Sequence, residues 1–324
     1  MERPEPAPAA PHASESFAGL AGLAGRLAAN ISKAVQVRPE TLGHLLVALI
    51  AEGHVLLEDY PGVGKTALAR ALARSVDCHF ARVQCTSDLL PGDVVGTNVY
   101  NQREQRFEFR PGPVFANIVL VDEINRASPK TQSGLLECMQ ERSVTVDVHT
   151  HELARPFLVL ATQNPVEYEG TYPLPEAQVD RFMVRLSLGY PQRGAEVEML
   201  ADHEAGDKVL ALGPVASAAE VLAAQDGATR VRATEPLRDY VVRLLWATRE
   251  DPRVDLGASP RAGLMLLRAA KAHAMIHGRD HALPDDVQAL AQAVLAHRLV
   301  IAPECPRGAG AEVIADAVSA VRAL

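Results

Sequence analysis

The sequence predicts an α/β fold, in which a parallel sheet carries helices on both faces, followed by a smaller all-α domain. Apolar runs at 54–58, 117–123 and 157–162 lack the alternation of half-exposed strands and are typical of strands buried on both faces. Helical patterns alternate with these runs, which favours parallel pairing. Beyond Pro191 no β-branched run of comparable strength remains, and the residues follow helical spacing instead.

The first part of the predicted core contains two helices, a strand and a third helix. Apolar residues recur at helical spacing from 17 to about 36. A second helix is expected from Pro39, which favours a first turn, to Gly53, which favours a helix end. The run at 54–58 then ends in a glycine-rich turn, and a third helix is expected over 66–76.

Two hairpins are predicted in the rest of the core. Strands at 98–100 and 106–109 form the first, and the alternating stretch 143–153 forms the second. The helix between them is expected from Pro129 to Glu141. The other extended segments of the core are 79–84, 117–123, 157–162 and, as the last strand of the sheet, 184–188.

The second domain is expected to be helical throughout. Helices are predicted at 192–205, 235–249, 260–277 and 284–299, with a shorter helical piece at 216–226. The chain therefore divides into three parts. They are a Pro/Ala-rich tail at 1–16 that we expect to be disordered, an α/β core at 17–190, and a linker with the helical domain at 191–324.

The charge balance argues against a protein that binds nucleic acid or a membrane surface non-specifically. The 324 residues carry a formal net charge of −8, with a pI near 5.8, whereas such binding needs a basic face. The four cysteines have no metal-binding spacing, so we expect reduced thiols in a cytoplasmic protein. We also expect no targeting segment and no membrane span.

The stretch EDYPGVGKT, at 58–66, predicts a phosphate-binding loop, because it follows a strand and opens a helix. Gly62 and Gly64 let backbone N–H groups approach an anion. Lys65 supplies a compact positive charge and Thr66 a hydroxyl for Mg²⁺. The usual pattern has glycine at position 59; we expect Asp59 to tune the loop while binding is kept. The expected nucleotide contacts are Asp59, Tyr60, Pro61, Gly62, Val63, Gly64, Lys65, Thr66 and Ala67.

Two adjacent carboxylates, Asp122 and Glu123, end a strand that is buried on both faces, where they need a balancing cation. Asp122 is suited to hold Mg²⁺, partly through water. Glu123 is suited to orient and deprotonate an attacking water. Asn164 follows the run at 157–162, and ligands of open parallel sheets bind at such strand ends. We therefore expect Asn164 to contact the γ-phosphate or that water.

Two arginines occupy positions that need an anion. Arg181 follows a proline-punctuated loop, and the neighbouring Asp180 or a phosphate could be its partner. Arg261 is expected in the first turn of a helix that Ser259 caps. A cation there is disfavoured by up to about 1 kcal/mol, because the helix dipole is positive at that end. We therefore expect Arg261 to bind a phosphate.

With these residues the chain resembles the AAA+ ATPases, and among them the MoxR-type group. The phosphate loop is similar to Walker A, VLVDE at 119–123 to Walker B, and Asn164 to sensor 1. Arg261 is similar to sensor 2 of a helical lid. The stretches 112–146 and 157–186 are similar to the MoxR-type group almost from end to end.

The resemblance implies an ATPase that needs ATP and Mg²⁺ and forms a homo-oligomer, usually a hexameric ring, with ATP sites between subunits. Arg181 would be the arginine finger that acts on the neighbour's ATP. Hairpin inserts at about 92–111 and 143–153 would project and contact the substrate. The resemblance also implies a partner with a von Willebrand factor A domain, and a chaperone-like role in maturing proteins or inserting metal cofactors.

Two other functions remain open at this point. A ring motor on nucleic acid could use the same two hairpins, and NVYNQREQRFEFR at 98–110 holds three arginines. The stretch at 144–153, however, carries acids and histidines and no lysine or arginine. The second alternative is a scaffold that binds a nucleotide without hydrolysing it. The presence of both Asp122 and Glu123 disfavours this hypothesis.

Overall fold

The computed structural model describes residues 17–60, 62–164, 170–190, 193–194, 207–306 and 308–323. The predicted disordered tail at 1–16 lies outside these residues, as does almost all of the helix predicted at 192–205.

The elements of the α/β core alternate between strands and helices. In chain order they begin with α1 (Phe17–Ile31), α2 (Pro39–Ile50), β1 (Val55–Glu58), α3 (Lys65–Val76), β2 (Phe80–Gln84), α4 (Pro91–Val95), β3 (Gly96–Asn101), β4 (Arg106–Pro111) and β5 (Ile118–Asp122). They continue with α5 (Pro129–Glu141), β6 (Ser143–Val146), β7 (His149–Glu152), β8 (Leu158–Gln163), α6 (Glu176–Val179) and β9 (Val184–Leu186).

The second part of the chain is helical, with one short pair of strands. Its described elements are α7 (Ala218–Arg230), α8 (Glu235–Glu250), β10 (Val254–Leu256), α9 (Pro260–Ile276), α10 (Pro284–Leu295), β11 (Val300–Ile301) and α11 (Ala309–Ala320). The antiparallel pair β10–β11 and the helix α11 were not predicted. Most apolar positions of α11 are alanine or valine, so its helical spacing gives a weak signal.

The core is built on a five-stranded parallel sheet in the order β2-β5-β8-β1-β9. Parallel strands end at the same edge of a sheet. Glu58, Asp122 and Gln163 therefore meet along one edge, at the ends of β1, β5 and β8. The α/β fold with a parallel sheet is confirmed, and this edge positions the candidate site.

Both faces of the sheet are covered, which explains why the strand sequences are apolar without alternation. Val55, Leu57 and Leu120 belong to the apolar cluster on the side of α1, α2 and α3. Leu56 and Val121 belong to a second cluster on the side of α5. Successive side chains of a strand point to opposite faces, so every position is buried.

The two predicted antiparallel hairpins, β3–β4 and β6–β7, are present, and in the structure they also lie against one another. The Asn98 amide donates to the Asp147 carboxylate at 2.6 Å, which joins the two hairpins. The rings of Phe109 and His151 stack with their centroids 3.9 Å apart. The hairpins therefore form one continuous surface.

The helical part shares its apolar cluster with the core. Leu27 of α1 and Leu45 of α2 belong to the same cluster as Leu266 of α9 and Leu290 of α10, and all four are buried. The helical part is therefore attached to the core by buried apolar contacts. None of the described helices is long and apolar enough to cross a membrane.

Two predicted boundaries differ from the structure for physical reasons. Helix α1 ends at Ile31 instead of about 36, although Ala34 and Val35 still pack on the core and so continue the apolar spacing. The last strand ends at Leu186 instead of 188, because the backbone N–H of Leu188 donates to the Asp59 carboxylate instead of to a neighbouring strand.

Candidate active site

The phosphate loop forms the turn between β1 and α3, as predicted. Gly62 and Gly64 have φ angles of 85° and 95°, in the left-handed region that glycine adopts without strain. Gly64 directly precedes α3, and Lys65 is the first residue of that helix. The Lys65 ammonium donates to the backbone carbonyl of Asp59 at 2.9 Å. Pro61 lies outside the described residues.

The Asp59 side chain is engaged outside the phosphate loop, so the predicted nucleotide contact of Asp59 would have to come from its backbone. Its buried carboxylate accepts a hydrogen bond from the Ser187 hydroxyl at 2.9 Å. It also accepts from the backbone N–H groups of Leu188 at 2.5 Å and Gly189 at 3.1 Å. Its side chain therefore ties the loop to the segment that leaves the core, and only its backbone faces Lys65.

Tyr60, another predicted nucleotide contact, stacks on Tyr190. Their ring centroids are 5.6 Å apart, with an angle of 17° between the ring planes. Both rings are exposed, Tyr60 at 46% and Tyr190 at 69%. The pair holds the entrance of the phosphate loop next to the residues that follow β9.

Asp122 lies at the end of β5, where two neighbouring strands contact its carboxylate. The Thr162 hydroxyl on β8 donates to one oxygen at 2.6 Å. Arg82 on β2 forms an ion pair with the other oxygen at 2.7 Å. The balancing cation that the sequence required is therefore supplied in part by Arg82.

Glu123 has a left-handed backbone, with φ 57°, and begins the 3₁₀ turn Ile124–Arg126. Such a conformation is strained for a residue other than glycine and is frequent at functional sites. The Thr162 hydroxyl accepts from the Glu123 N–H at 2.9 Å. The Gln84 amide donates to the Glu123 carboxylate at 2.9 Å, and Arg126 lies 3.4 Å from it. The candidate base is therefore held by hydrogen bonds.

Arg82, Gln84 and Thr162 were not predicted as site residues. They reach the carboxylates because β2 and β8 are the neighbours of β5, with Gln84 paired to Asp122 across the strands. The sequence does not show which strands are neighbours. Polar residues occur at alternate positions near the ends of β2 and β8, and this pattern could have indicated that their side chains reach the site.

A cleft of about 400 Å³ brings most of the predicted residues together. Its size is in the range of small-molecule sites. Asn164, which is buried at the end of β8, lies in it together with the loop and both carboxylates. The described residues that line the cleft are Gly62, Gly64, Lys65, Thr66, Ala67, Arg82, Gln84, Asp122, Glu123 and Asn164.

The donors of the cleft fit Mg²⁺ bound together with a phosphate. The Thr66 hydroxyl and the Asp122 carboxylate are hard oxygen donors, and both residues line the cleft. Mg²⁺ is typically held by one or two carboxylates, water and substrate phosphates, and not by a protein cage. The described residues contain no group of three or more His, Cys, Asp or Glu side chains that could hold a metal alone.

Cys85, which directly follows β2, has no role in this chemistry. Burial, together with the negative charges of Asp122 and Glu123, raises the pKa of its thiol to about 12. A thiol with such a pKa remains protonated and unreactive near neutral pH.

Arg181 and Arg261 are not among the described residues that line the cleft. Arg181 follows α6, and in the described part of the chain no ion pair involves it. Asp180, its simplest predicted partner, instead binds Arg298 at 2.8 Å. Of the two partners considered for Arg181, Asp180 is therefore engaged by another arginine.

Arg261 lies in the first turn of α9, as predicted, and the Ser259 hydroxyl accepts from the Ala262 N–H at 3.1 Å. The start of α9 borders a second cavity of about 480 Å³, which Asp180 and Arg298 also line. Burial lowers the pKa of Arg298, the Asp180 carboxylate raises it, and the positive charge of Arg261 lowers it further. Arg261 therefore lies close enough to act on Arg298, and Arg298 binds the segment that carries Arg181. That Arg261 binds a phosphate stays a prediction.

Comparison with known proteins agrees with this division of the chain. The family model described as "ATPase family associated with various cellular activities (AAA)" matches residues 54–184. The model of the "AAA lid domain" matches residues 246–317. The first contains the phosphate loop and the carboxylates, and the second contains Arg261.

Similar proteins cover most of the chain. Chaperone MoxR1 of Mycobacterium tuberculosis is 40% identical over 302 residues, which are 90% of this chain and 80% of that protein. The Bacillus subtilis protein YeaC is 52% identical over 279 residues, 86% of this chain and 87% of that protein. The crystal structure of a protein from Cytophaga hutchinsonii has a TM-score of 0.87 at 39% identity, and covers 96% of this chain and 98% of its own.

Proposed function

This chain belongs to the MoxR-type AAA+ ATPases, and from that premise we propose that rings of this protein hydrolyse ATP to remodel a partner protein. Family membership makes the chain an ATPase with a nucleotide-binding core and a lid. The proposal adds that the ATP site is shared between subunits, that Mg²⁺ accompanies the nucleotide, and that the substrate of the ring is a protein.

The separation of the arginines from the phosphate loop carries the proposal of a ring. The cleft with Lys65 and Glu123 does not include Arg181 or Arg261 among its described lining residues. Phosphoryl transfer commonly requires an added arginine to stabilise charge on the transferring group, and a second subunit can supply it. A head-to-tail contact that closes on itself makes a ring. We therefore assign Arg181 as the arginine finger and Arg261 as a second contact, both to the ATP of the neighbouring subunit.

Within the cleft each residue has a distinct task in hydrolysis. Lys65 and the N–H groups of the loop bind the phosphates of ATP, and Asn164 orients the γ-phosphate or the attacking water. Glu123 takes a proton from that water. The hydrogen bond from the Gln84 amide orients the Glu123 carboxylate, which keeps further acceptor sites for this proton. Mg²⁺, held by Thr66 and Asp122, would neutralise charge on the phosphate oxygens.

A mixing experiment with Arg181→Ala tests the shared site. The variant subunit keeps its own cleft, so we expect normal ATP binding and a loss of hydrolysis of about 10³-fold. Variant subunits added to wild-type protein should reduce turnover by more than dilution, because each removes the finger from a neighbour. Arg230→Ala, an exposed arginine at the end of α7, is the matched control and should change nothing. Full activity of Arg181→Ala would refute the role of the finger.

The joined hairpins are the surface that we propose for the protein substrate. Tyr100 on β3 and Phe107 on β4 are 50% and 70% exposed, and their rings contact at a centroid distance of 5.3 Å. Exposed aromatic groups of this kind are typical of protein interfaces. The name of the relative Chaperone MoxR1 supports a chaperone-like role. The family further suggests an adaptor with a von Willebrand factor A domain, and maturation or metal insertion in its client.

A ring motor on nucleic acid is the less favoured alternative. Arg106, one of three arginines on the first hairpin, is paired with Glu104 at 2.6 Å and with Glu108 at 3.0 Å. Its charge is therefore balanced locally, and the chain as a whole carries −8. ATP turnover that rises severalfold with DNA, together with salt-sensitive DNA binding, would favour this alternative.

A further inference from the structure

We propose that Arg298 is the positioning residue of the arginine finger. By this proposal Arg298 fixes the segment that carries Arg181 to the lid, so that the lid of one subunit sets the finger that acts on the next subunit's ATP. The inference rests on the proposed shared site, and it adds a residue that does not itself touch the nucleotide.

Arg298 ends the 3₁₀ turn Ala296–Arg298, which follows α10 in the lid. Its side chain is only 2% exposed, although arginine is almost never buried without a partner. Its Nε donates to the Asp180 carboxylate at 2.8 Å. Three of the remaining contacts of the guanidinium are with backbone carbonyl groups of the core.

The contacts of Arg298 lie on both sides of Arg181. One terminal nitrogen donates to the carbonyls of Asp180 at 3.2 Å and Phe182 at 2.5 Å. The other donates to the carbonyl of Met183 at 3.2 Å. The neighbouring His297 places its Nε2 3.2 Å from the Phe182 carbonyl as well. Residues before and after Arg181 are thus held by the same turn of the lid.

The same guanidinium is also anchored within the lid. It donates to the carbonyl of Val294 in α10 and contacts the Met265 sulfur of α9 at 2.6 Å. Arg261 lies one turn before Met265 on α9. One buried group therefore joins α9, α10 and the finger segment. A displacement of these helices relative to the core would be transmitted to the backbone of Arg181.

The planar guanidinium is suited to this task because it donates in several fixed directions at once and remains charged when buried. A lysine would keep the charge, but as a point charge it cannot reproduce the fork. A finger displaced by about 1 Å loses on the order of 10²-fold in rate. Arg298→Lys should therefore reduce kcat by about 10-fold to 100-fold and leave the KM for ATP unchanged, because the cleft of its own chain is untouched.

The matched control is Arg279→Lys. Arg279 makes a bidentate pair with the buried Asp286, at 2.6 Å and 2.5 Å, at the other end of α10. This substitution weakens an ion pair with a buried carboxylate of the lid and does not touch the finger segment. It should lower the melting temperature with little change in kcat. A loss of kcat as large as that in Arg298→Lys would overturn the proposal, since any damage to the lid would then suffice.

A complementation experiment decides whether Arg298 acts across the subunit contact. Lys65→Ala subunits cannot bind ATP but have an intact finger, and Arg298→Lys subunits bind ATP but have a displaced finger. Mixing the two inactive proteins should restore part of the turnover, since roughly one head-to-tail interface in four then pairs a working cleft with a working finger. No restoration would overturn the proposal, because the defect of Arg298→Lys would then lie in its own cleft.

The same experiment with Arg181→Ala distinguishes a failure of the shared site from a failure of the role of Arg298. If Arg181→Ala also fails to complement Lys65→Ala, the shared site itself is wrong. If Arg181→Ala complements and Arg298→Lys does not, the shared site holds and the role of Arg298 is wrong. Should Arg298→Lys fail to fold, Asp180→Asn removes the charged partner of Arg298 and keeps its shape. Asp180→Asn subunits should also restore turnover when mixed with Lys65→Ala subunits. A failure to restore turnover would overturn the role of Arg298.

Discussion

At the scale of single residues, the two carboxylates of the cleft are already engaged before a nucleotide arrives. Arg82 pairs with Asp122, and Gln84 is hydrogen-bonded to Glu123. A Mg²⁺ ion that is to be held by Asp122 must compete with the guanidinium of Arg82. We therefore expect the contacts of both carboxylates to change when Mg²⁺ and the nucleotide bind together.

The competition at Asp122 gives a prediction for Arg82→Ala. The pair is partly exposed, so its loss is worth about 1 kcal/mol at most. Without Arg82 the Asp122 carboxylate is more available, and the Mg²⁺ concentration for half-maximal ATP turnover should fall by up to about fivefold. The measurement is a Mg²⁺ titration of turnover at saturating ATP. Arg126→Ala serves as the control, because Arg126 faces Glu123. An increased requirement for Mg²⁺ would mean that Arg82 binds the phosphates instead.

At the scale of elements, His54 joins three parts of the core just before β1. Its Nδ1 accepts from the Val159 N–H of β8, and its Nε2 donates to the Met139 carbonyl of α5, each at 3.0 Å. Its own carbonyl accepts from the Met183 N–H at 2.8 Å. The ring is therefore fixed as a neutral tautomer. Burial lowers its pKa from 6.5 to about 4, although the bond to Met139 opposes this and the charges of Arg142 and Arg268 add to it.

A pH-dependent loss of stability follows from the buried His54. The unfolded chain binds a proton at this residue below about pH 6.5, while the folded chain does so only near pH 4. The contribution of neutral His54 to the free energy of unfolding is therefore fully present above pH 6.5. It falls by roughly 1 kcal/mol per pH unit as the pH decreases towards 4.

The measurement is denaturant unfolding of wild type and His54→Asn between pH 7 and 4.5. The variant should be less stable at pH 7 but lose stability less steeply, and His149→Asn, on the exposed hairpin, should keep the wild-type slope. The slope of His54→Asn should not vanish, because burial also lowers the pKa of His297 well below its usual range. Equal slopes in wild type and His54→Asn would contradict the assignment.

At the scale of the whole molecule, the hairpins extend from the core as one surface, apart from the cleft. The hydrogen bond between Asn98 and Asp147 joins the two hairpins. Strand β6 follows α5 directly, and α5 follows the turn that contains Glu123. The chain therefore provides a short connection from the candidate base to the proposed substrate surface.

The proposed substrate surface predicts capture of a partner in the ATP-bound state. Glu123→Gln should bind ATP without hydrolysis and retain a protein with a von Willebrand factor A domain in a pull-down. Adding Tyr100→Ala and Phe107→Ala should reduce that capture by about tenfold or more, the loss typical when central aromatic contacts are removed. Leu283→Ala, an exposed apolar residue in the lid, is the control and should have no effect. Undiminished capture by the doubly substituted hairpin would place the partner elsewhere.

The sequence predicts local features of this protein well and the meeting of distant segments poorly. The strands of the core sheet, the hairpins, the phosphate loop and the capped start of α9 follow from patterns within a few residues, and the structure has them close to where they were expected, apart from the shorter β9. Arg82 and Thr162 could not be found because their roles depend on which strands are neighbours. The position of Arg261 close to Arg298, which binds the Arg181 segment, depends on how the lid packs, and no local pattern records that packing.

Asp59 has a consequence for how this molecule binds ATP. The Asp59 carboxylate binds Ser187, Leu188 and Gly189, which follow the last strand of the sheet, and the Asp59 carbonyl accepts from Lys65. One residue therefore connects the phosphate loop to the segment that leaves the core. Coupling between two such segments is reciprocal. If ATP binding favours one conformation of residues 187–189, then a contact that stabilises this conformation strengthens ATP binding by the same factor. Replacing Asp59 with the usual glycine would therefore restore the motif but remove the three hydrogen bonds that link the two segments.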